Sequence, residues 1–532
     1  MPGCTLLTAG IPNPLPSKPM FLYLDKDGRP VPPPNYVPNL NDCHDSGCGC
    51  GCSGGGGNST LNPACGDDPG VKQLEAVNAI VRMAAQELAV NQIPGWLEIW
   101  DGGQGNLLRQ YSMPTVDALA PTPVFTYNSI IHAQPSGLGQ SWNMIFAQSV
   151  VSINSTTAVI NKGTGTSFTY TSKNATTGVY TAPAGALNKL LQNADNTWTE
   201  TQPDGLTLNY NTSGRLATIK RASYTWTITY DSNNNLKTIK DPVARVATFG
   251  YSAFGMPPLI RKFVDVVGRI TTFTGTVSPA FITSIIDPLN RRTTFTQGSF
   301  PNLISNWKTP DGNQSSYVYN GSNQLTSATD PSGNQVQVGY ATNQNHYLDP
   351  NSNRTTYSYT SSGQPRAIQN ALGQRATLLW TSGQLTTAID TAGNRTTLTY
   401  ATISDGRKFV SSLQTPKGDR YTWLYDASDR VRATIDPLGN RNSFSWDSTN
   451  NRTGQLDALG HRTSFLYNSG GQLRAVIMPL GQRTTALFDS TDRVKALIDP
   501  LGNRTTFTYN ALSQPDSLTT PTGRGKGDKS HY

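Results

Sequence analysis

From about residue 201 onward, apolar and polar residues alternate in short runs that return at a nearly constant distance along the chain. The run 463–467 (TSFLY) carries two rings two residues apart, which is typical of a β-strand with one buried face. Polar turn residues follow at 468–472, and a second apolar run, 473–477, closes the unit. Each unit is therefore predicted to be strand, turn, strand, turn, because helical periodicity is missing throughout this region.

Every unit can be aligned on the position that Asp499 holds in IDPLGNRTTFTYN, and this position is called the anchor. The anchors are Asp241, Asp265, Asp287, Thr309, Asp330, Asp349, Asn370, Asp390, Thr415, Asp436, Asp457, Met478, Asp499 and Thr520. The last five spacings are 21 residues each, and earlier spacings range from 19 to 25. A near-fixed period indicates stacked units that bury their apolar faces against their neighbours. We therefore expect a mainly β fold over 201–523, built of repetitive antiparallel β-hairpins. That these hairpins coil into an open shell or trough is implied by the resemblance of the units to a known repeat family.

The turn that begins at each anchor has a recurrent chemistry. Proline in second place presets φ and glycine in fourth place tolerates positive φ, as at Pro500 and Gly502. An arginine follows five residues after the anchor in eight successive units: Arg354, Arg375, Arg395, Arg420, Arg441, Arg462, Arg483 and Arg504. One arginine per unit predicts a ladder along the sheet that can pair with the anchor aspartates. We favour a solvated structural ladder over a track that binds nucleic acid or another polyanion.

Paired rings recur after these arginines. The clearest pairs are Phe507/Tyr509, Phe465/Tyr467, Phe444/Trp446, Trp423/Tyr425 and Tyr357/Tyr359. Their spacing places both rings on one face, so we expect them in the hydrophobic core. Replacing Trp446 or Tyr467 with alanine should then destabilise the protein by about 3–5 kcal/mol if the ring is fully buried. The alternative, a row of solvent-facing rings that stack on sugars, would indicate a carbohydrate-binding or adhesion module.

These residues resemble the YD repeat of Rhs-type proteins. The matching pieces are DPLGNRTTFTYN (499–510), GQLRAVIMPLG (471–481) and DRVRATIDPLGN (429–440). The resemblance covers about 201–523 and implies a long β-sheet that spirals into a hollow shell. In bacterial members the shell often encloses a C-terminal toxin, and the animal relatives, the teneurins, use it in cell adhesion. It therefore implies a non-enzymatic shell scaffold that is secreted or at the cell surface, with a further shell segment, an enclosed toxin chain or cell-surface glycans as partners.

The first 200 residues are organised differently. Residues 1–66 are rich in proline, glycine and cysteine and are expected to be disordered. An amphipathic helix is predicted over 67–95, with an apolar stripe from 71 to 88 and Pro94-Gly95 at its end. Residues 96–200 are expected to form an irregular β region. Within it, GLGQSWNMIFAQSVV (137–151) resembles the segment that precedes the repeats in Rhs-type proteins and plugs or seeds the shell.

The leader holds a group of metal-binding residue types: Cys43, His44, Cys48, Cys50, Cys52 and Cys65. Thiolates and imidazoles are good zinc ligands, but the spacing lacks the CxxC pairs of structural zinc sites. Disulfides or free thiols in a flexible leader are the preferred interpretation, and no metal site or cofactor is predicted. No cysteine follows Cys65, so the repeats are not expected to depend on disulfides.

Composition argues against several other functions. Only 14% of the residues are charged, against about 25% in ordinary soluble domains, and the net charge is +8. The sequence has no GxSxG, HExxH or P-loop motif, and every repeated aspartate is explained by a turn, so no catalytic residue is proposed and the chain is not expected to be an enzyme. No run of 18 apolar residues and no recognisable signal peptide are found, so no membrane span is expected.

The last unit has an incomplete pattern. It begins at TPTGR (520–524), lacks a Thr-Thr-aromatic strand and continues into a basic tail, 524–532. We therefore expect a truncated shell without a toxin domain. Its C-terminal edge, near Phe507, Tyr509 and Leu518, is expected to self-associate or fray unless a partner chain supplies the next strand.

Overall fold

The structure is a computed structural model of the chain. It describes residues 23–24, 30–31, 90–92, 99–101, 106–117, 119–129, 137–139, 141–163, 167–183, 186–202, 205–221, 224–252, 258–277, 280–298, 303–403, 405–510, 515–521 and 523–526.

One antiparallel sheet of 33 strands contains the repeats, and strands that are consecutive in the chain are neighbours throughout. Its strands, β11 to β43, are Lys189–Gln192, Trp198–Thr201, Thr207–Tyr210, Leu216–Arg221, Tyr224–Tyr230, Leu236–Lys240, Val246–Tyr251, Ile260–Val264, Ile270–Val277, Ala280–Ile286, Arg292–Gln297, Ile304–Lys308, Gln314–Tyr319, Leu325–Thr329, Gln335–Ala341, Gln344–Leu348, Arg354–Tyr359, Pro365–Gln369, Arg375–Thr381, Gln384–Ile389, Arg395–Thr402, Lys408–Gln414, Arg420–Tyr425, Val431–Ile435, Arg441–Trp446, Arg452–Leu456, Arg462–Tyr467, Leu473–Ile477, Arg483–Phe488, Val494–Ile498, Arg504–Tyr509, Pro515–Thr520 and Gly523–Lys526. The predicted mainly β fold of repeated antiparallel hairpins in an open sheet is confirmed.

Shorter elements precede this sheet. They are β1 and β2 (Tyr23–Leu24, Pro30–Val31), β3 to β7 (Val90–Gln92, Ile99–Asp101, Asn106–Ser112, Val124–Asn128, Trp142–Met144), a 3₁₀ turn (Ile145–Ala147) and β8 to β10 (Ser149–Asn154, Thr157–Asn161, Ser167–Tyr170). Strands β3–β7 form one antiparallel sheet and β8–β10 another. Strands β11 and β12 already belong to the large sheet, so this sheet begins before residue 201.

The anchor turns have the geometry that their residues predict. In the turn at Asp499, the Gly502 N–H donates to the Asp499 carbonyl at 3.0 Å, and Gly502 has φ +83°. This is a type I turn followed by a left-handed residue, a common three-residue hairpin loop. The Asp499 carboxylate also accepts the backbone N–H groups of Leu501 and Asn503, each at 2.9 Å. The aspartate thus fixes the turn from inside, which explains why it recurs.

Alternation along the strands gives the sheet two different faces. The apolar face carries buried rings, for example Phe295 and Trp307, which are directly paired in β21 and β22. The opposite face carries the arginine five residues after each anchor, paired with the last residue of the preceding strand, as in Ile435↔Arg441. We call these the apolar face and the arginine face.

A β-bulge separates the two rings of each pair, which the alternation alone does not predict. The register shifts between Ser445 and Trp446, and in the same way between Leu466 and Tyr467. The first ring is buried, as at Phe465, whereas Trp446 and Tyr467 are half-buried. The expected core location therefore holds for most first rings and for the second ring Tyr359, but the condition of full burial is not met at Trp446 or Tyr467.

The sheet coils so that later strands rest edge-on against its beginning. Anchor turns lie along one edge, the anchor edge, and the alternate turns, such as 426–430 and 468–472, lie along the other, the return edge. On the return edge, Arg407 donates to the carbonyl of Leu187, just before β11. Gly470 lies so close to Tyr224 that an added Cβ would overlap its ring, and the Tyr224 hydroxyl bonds to Asp492. These contacts close one turn of a coil.

Two predicted boundaries are affected by the strands. Most of the predicted helix, 67–89, lies outside the described residues, but Val90–Gln92 is a strand, so a helix does not extend to 95. The predicted tail begins inside β43, which pairs with β42 through Ser517↔Lys526 and Thr520↔Gly523. The hairpin with Phe507 and Leu518 is therefore not the last paired element. The disordered leader lies outside the described residues, except for the short pair β1–β2.

Candidate functional site

Residues 106–144 cover the apolar face of the first half of the large sheet. Trp142 is fully buried there, and its ring lies 5.6 Å from Tyr127, 5.2 Å from Phe295 and 5.9 Å from Trp307. Edge-on and tilted arrangements of this kind are the favoured geometries of aromatic contacts. The Tyr127 hydroxyl accepts the Ile304 backbone N–H at 2.9 Å. We call the described residues 106–117, 119–129, 137–139 and 141–144 the plug, since they pack against strands that are far away in sequence.

Arg109 holds the plug to the sheet by its charge. Its guanidinium lies 4.2 Å from the centre of the Trp307 ring and donates to the Tyr317 hydroxyl at 2.6 Å. The Arg109 residue is buried, so the cation–π contact is made away from water, where it is strongest.

An ion-pair network ties the plug to the anchor edge. Arg245 donates to both oxygens of Asp117, at 2.6 and 2.9 Å, and to the Asp241 carboxylate at 2.7 Å. Asp117 also accepts the backbone N–H groups of Leu119 and Ala120. Burial alone would raise the pKa of Asp117, but the Arg245 hydrogen bond and charge, with these N–H groups, hold the pKa below its usual value. Asp241, predicted only as a turn residue, thus also belongs to a network that reaches Asp117 through Arg245.

A second buried charge lies at the start of the sheet. Glu200 is fully buried in β12, forms an ion pair with Lys162, and accepts hydrogen bonds from Asn188 at 2.6 Å and Tyr210 at 2.9 Å. Both carboxylate oxygens are bonded inside the fold, so we interpret Glu200 as a structural group. Sequence analysis missed it, although Glu200 is the only glutamate after residue 98.

The second ring of each pair ties neighbouring units together. Tyr467 donates to the carbonyl of Arg452 at 2.9 Å, and Trp446 donates to that of Val431 at 2.9 Å. The same bond spans 15 residues at Tyr319, Trp380, Tyr400, Tyr425 and Tyr509, and 14 residues at Tyr230. These rings are at most half-exposed and their bonds help to fix the register of neighbouring strands, so they do not form a row of free aromatic faces for sugars along the described part of the sheet.

Replacing Tyr467 with phenylalanine should remove this bond while keeping the ring. We expect the free energy of unfolding to fall by about 0.5–1.5 kcal/mol in urea titration, the usual net value of one hydrogen bond. Phe488 occupies the equivalent bulge position, so Phe488→Tyr is the matched gain-of-bond variant and should be neutral or stabilising. A Tyr467→Phe protein as stable as the parent would show that the hydrogen bond from Tyr467 to the Arg452 carbonyl does not stabilise the sheet.

The predicted pairing of the arginine ladder with the anchor aspartates is wrong in its position. The residue four places after the aspartate makes the pair: Arg269 with Asp265 at 2.5 Å, and Arg493 with Asp489 at 2.7 Å. Arginines five places after the anchor instead run along the arginine face, where Arg395 donates to Thr387 and Arg441 to Ser443, each at 3.2 Å. Alternation explains this, because residues four and five after the anchor point to opposite sides of the strand.

Several turn carboxylates have lowered pKa values in the folded protein. The side chain of Asn503 and nearby backbone N–H groups lower the pKa of Asp499, and the backbone and ring N–H groups of His461 lower the pKa of Asp457. Burial would raise the pKa of Asp489, but bonds from Arg493 and Thr491 lower it. The whole lowered set is Asp117, Asp195, Asp311, Asp349, Asp405, Asp447, Asp457, Asp489 and Asp499.

Acidification should therefore destabilise the sheet. A lowered pKa in the folded state gives stability that is present above the unfolded value of about 3.9 and is lost as the pH falls through the folded value. Asp429 and Asp492, whose pKa values burial raises, act in the opposite direction but are fewer. We expect the urea midpoint to drop steeply below about pH 4. An unchanged urea midpoint between pH 5 and pH 2 would contradict this. Asp499→Asn should reduce the drop, because its side-chain oxygen can still accept the backbone N–H groups but has no proton to gain in this pH range.

The remaining predicted site residues stay apart or outside the described chain. The cysteine and histidine group 43–65 lies outside the described residues. Within the described part of the chain, no group of three His, Cys, Asp or Glu side chains is arranged to hold a metal ion. His461 is exposed and pairs with Asp457 at 3.0 Å. In the parts of the chain that the structure covers, no helix is long and apolar enough to cross a bilayer.

The comparison with protein families matches one stretch of the sheet. The RHS Repeat family model matches residues 488–524, from the end of β39 into β43. The turn, bulge and pairing pattern of these strands is the one that recurs from β12 onward. No curated protein matches the sequence.

Solved structures with a similar arrangement come from toxin complexes. The Tc holotoxin pore of Photorhabdus luminescens is 10% identical over 76% of this chain and 26% of that chain, with a TM-score of 0.35. TcdB2-TccC3-Cdc42 is 11% identical over 80% and 30% of the two chains, at 0.36. TcdB2-TccC3 without its hypervariable C-terminal region is 10% identical over 79% and 27%, at 0.38. This chain thus spans 26–30% of the length of those structures.

Proposed function

Since this chain is an RHS/YD-repeat protein, we propose that it is a non-enzymatic β-shell scaffold that encloses a polypeptide, in the manner of toxin encapsulation and delivery. The observation that carries the proposal is the edge-on contact of the coil, in which Arg407 reaches Leu187 and Tyr224 reaches Asp492. A sheet that returns to its own beginning surrounds a space instead of ending as a flat layer.

The apolar face offers a suitable lining for that space. A ring alternates with threonine along this face, both beneath the plug, as at Thr293 and Phe295, and in later strands, as at Thr463 and Phe465 or Thr505 and Phe507. Thr463, Thr505 and Phe507 are half-buried, so this part of the face keeps polar and apolar groups in reach of a guest chain. We assign the scaffold to an extracellular or cell-surface setting, with a further shell segment or an enclosed toxin chain as partner.

The carbohydrate-binding alternative receives no support from the rings. The first ring of four of the five pairs is buried and that of the fifth, Phe507, is half-buried, and the polar atom of the second ring bonds to backbone, as Tyr467 does to Arg452. A sugar platform needs a free ring face beside free hydrogen-bonding groups.

Protease protection tests the shell. The chain produced in its own cells should hold a second polypeptide that survives protease, because the coil contact excludes the enzyme. Arg407→Met, which removes the bond to Leu187, should expose that polypeptide, whereas the control Arg493→Met, whose pair stays within one turn, should not. A purified chain that holds no second polypeptide but binds a glycan would overturn the scaffold in favour of the alternative.

A further inference from the structure

Four successive anchor turns expose a leucine at their third position. Leu438, Leu459, Leu480 and Leu501 are 82–87% exposed, and we call them the leucine row. Two strands separate neighbouring members, so the tips recur at about 10 Å along the anchor edge. A large apolar side chain that is exposed once is ordinary, but a regular series of them on one edge marks an interaction surface.

The turn itself does not require leucine. The same turn, with the same anchor hydrogen bonds, forms with Ser332, Asn351 and Lys417 at the third position. On the return edge the equivalent residues are polar, as at Ser428 and Thr449. The leucines are therefore confined to one edge and have no role in shaping the loops that carry them.

The leucine row is uncovered in the coil. A Cβ added to Gly439, Gly460, Gly481 or Gly502, the residue after each leucine, would meet no described atom within 4 Å. By contrast, a Cβ on Gly470 of the return edge would overlap Tyr224. The coil contact thus uses the return edge of these strands and leaves their anchor edge open.

Cations accompany the leucines. Arg441, Arg462, Arg483 and Arg504 follow three residues after each member of the row and are exposed. The carboxylates in the same turns point inward, since Asp436 accepts two backbone N–H groups and the Asn440 amide, each at 2.8–2.9 Å. Met478 replaces the aspartate in the third of these turns. The anchor edge therefore presents apolar tips backed by positive charge.

We propose that the leucine row docks the protein on the surface of an anionic lipid bilayer. A second copy would bring two rows of arginines together, which like-charge repulsion disfavours, and a nucleic acid would leave the leucines in water. A bilayer with anionic headgroups supplies both a partner for the arginines and an apolar layer for the tips. Because lipids adapt to any spacing, the regular 21-residue period needs no matching groove.

Vesicle flotation with the full chain tests this. The chain should float with vesicles of phosphatidylcholine and phosphatidylserine, and bind phosphatidylcholine alone at least roughly tenfold more weakly. The quadruple variant L438S/L459S/L480S/L501S should lose binding at least roughly tenfold while unfolding at the parent temperature, because serine is native to this turn at Ser332. R441Q/R462Q/R483Q/R504Q should abolish the preference for the anionic vesicles.

A matched control separates the row from exposed leucine in general. Leu289 is 73% exposed in an earlier anchor turn, so Leu289→Ser should leave vesicle binding unchanged. Equal vesicle binding by the parent and the quadruple serine variant would overturn the proposal. So would light scattering that shows a dimer of the parent and a monomer of the variant, since that result would assign the row to a second copy.

Discussion

Replacing Trp142 with alanine is expected to lower the free energy of unfolding by about 3–5 kcal/mol, the range for large aromatic side chains in a packed core. The Trp142 ring is fully buried and contacts rings of the plug and of two sheet strands, including Phe295 and Trp307. Alanine would leave a cavity between layers that the rigid sheet cannot collapse to fill. Urea unfolding followed by circular dichroism measures the loss.

Trp446→Ala provides the matched control for this prediction. Trp446 is half-buried at the bulge, so its removal should cost less than Trp142→Ala even though the same atoms are deleted. Equal losses at the two sites, or a loss below about 1 kcal/mol at Trp142, would show that the plug does not pack against the sheet in solution.

The hairpins of the repeat region could be predicted because their information is local. The anchor turn at Asp499 depends on residues within five positions, and alternation in 504–509 selects the strand and its faces. The same reasoning gave the core position of Phe465 and the ladder of arginines along the opposite face.

Other features could not be predicted because they depend on distant or geometric effects. The bulge before Tyr467 changes the exposure of the second ring without altering the residue pattern, and its partner, the Arg452 carbonyl, carries no sequence signal. Asp265 pairs with Arg269, four residues later, because of where the turn ends. Aligning the repeats does not show where each turn ends. Arg109 donates a hydrogen bond to Tyr317, which lies 208 positions later, and no pattern in the sequence indicates that these two residues are close.

The ion pair between the plug and the anchor edge should make the second large contribution to stability. Replacing Asp117 with alanine is expected to cost about 2–4 kcal/mol, somewhat below the value for a fully buried pair, since the Arg245 side chain is 24% exposed. The variant loses both bonds from Arg245 and the acceptor for Leu119 and Ala120. Asp117→Asn should cost less, because its amide oxygen can still accept the backbone N–H groups.

A double-mutant cycle isolates the charge contact from the loop contacts. Asp117→Ala, Arg245→Met and the double variant should give a coupling energy of about 2 kcal/mol, because an uncompensated partly buried charge is the main cost of each single change. The control cycle is Asp489 with Arg493, a pair of similar length whose side chains are 21% and 25% exposed and belong to one turn. Its coupling should stay below about 1 kcal/mol, because Asp489 is more exposed to solvent than Asp117, whose side chain is 1% exposed. A coupling below about 1 kcal/mol between Asp117 and Arg245 would contradict the prediction, since the plug would then be attached by Arg109 and the rings around Trp142 without a contribution from this ion pair.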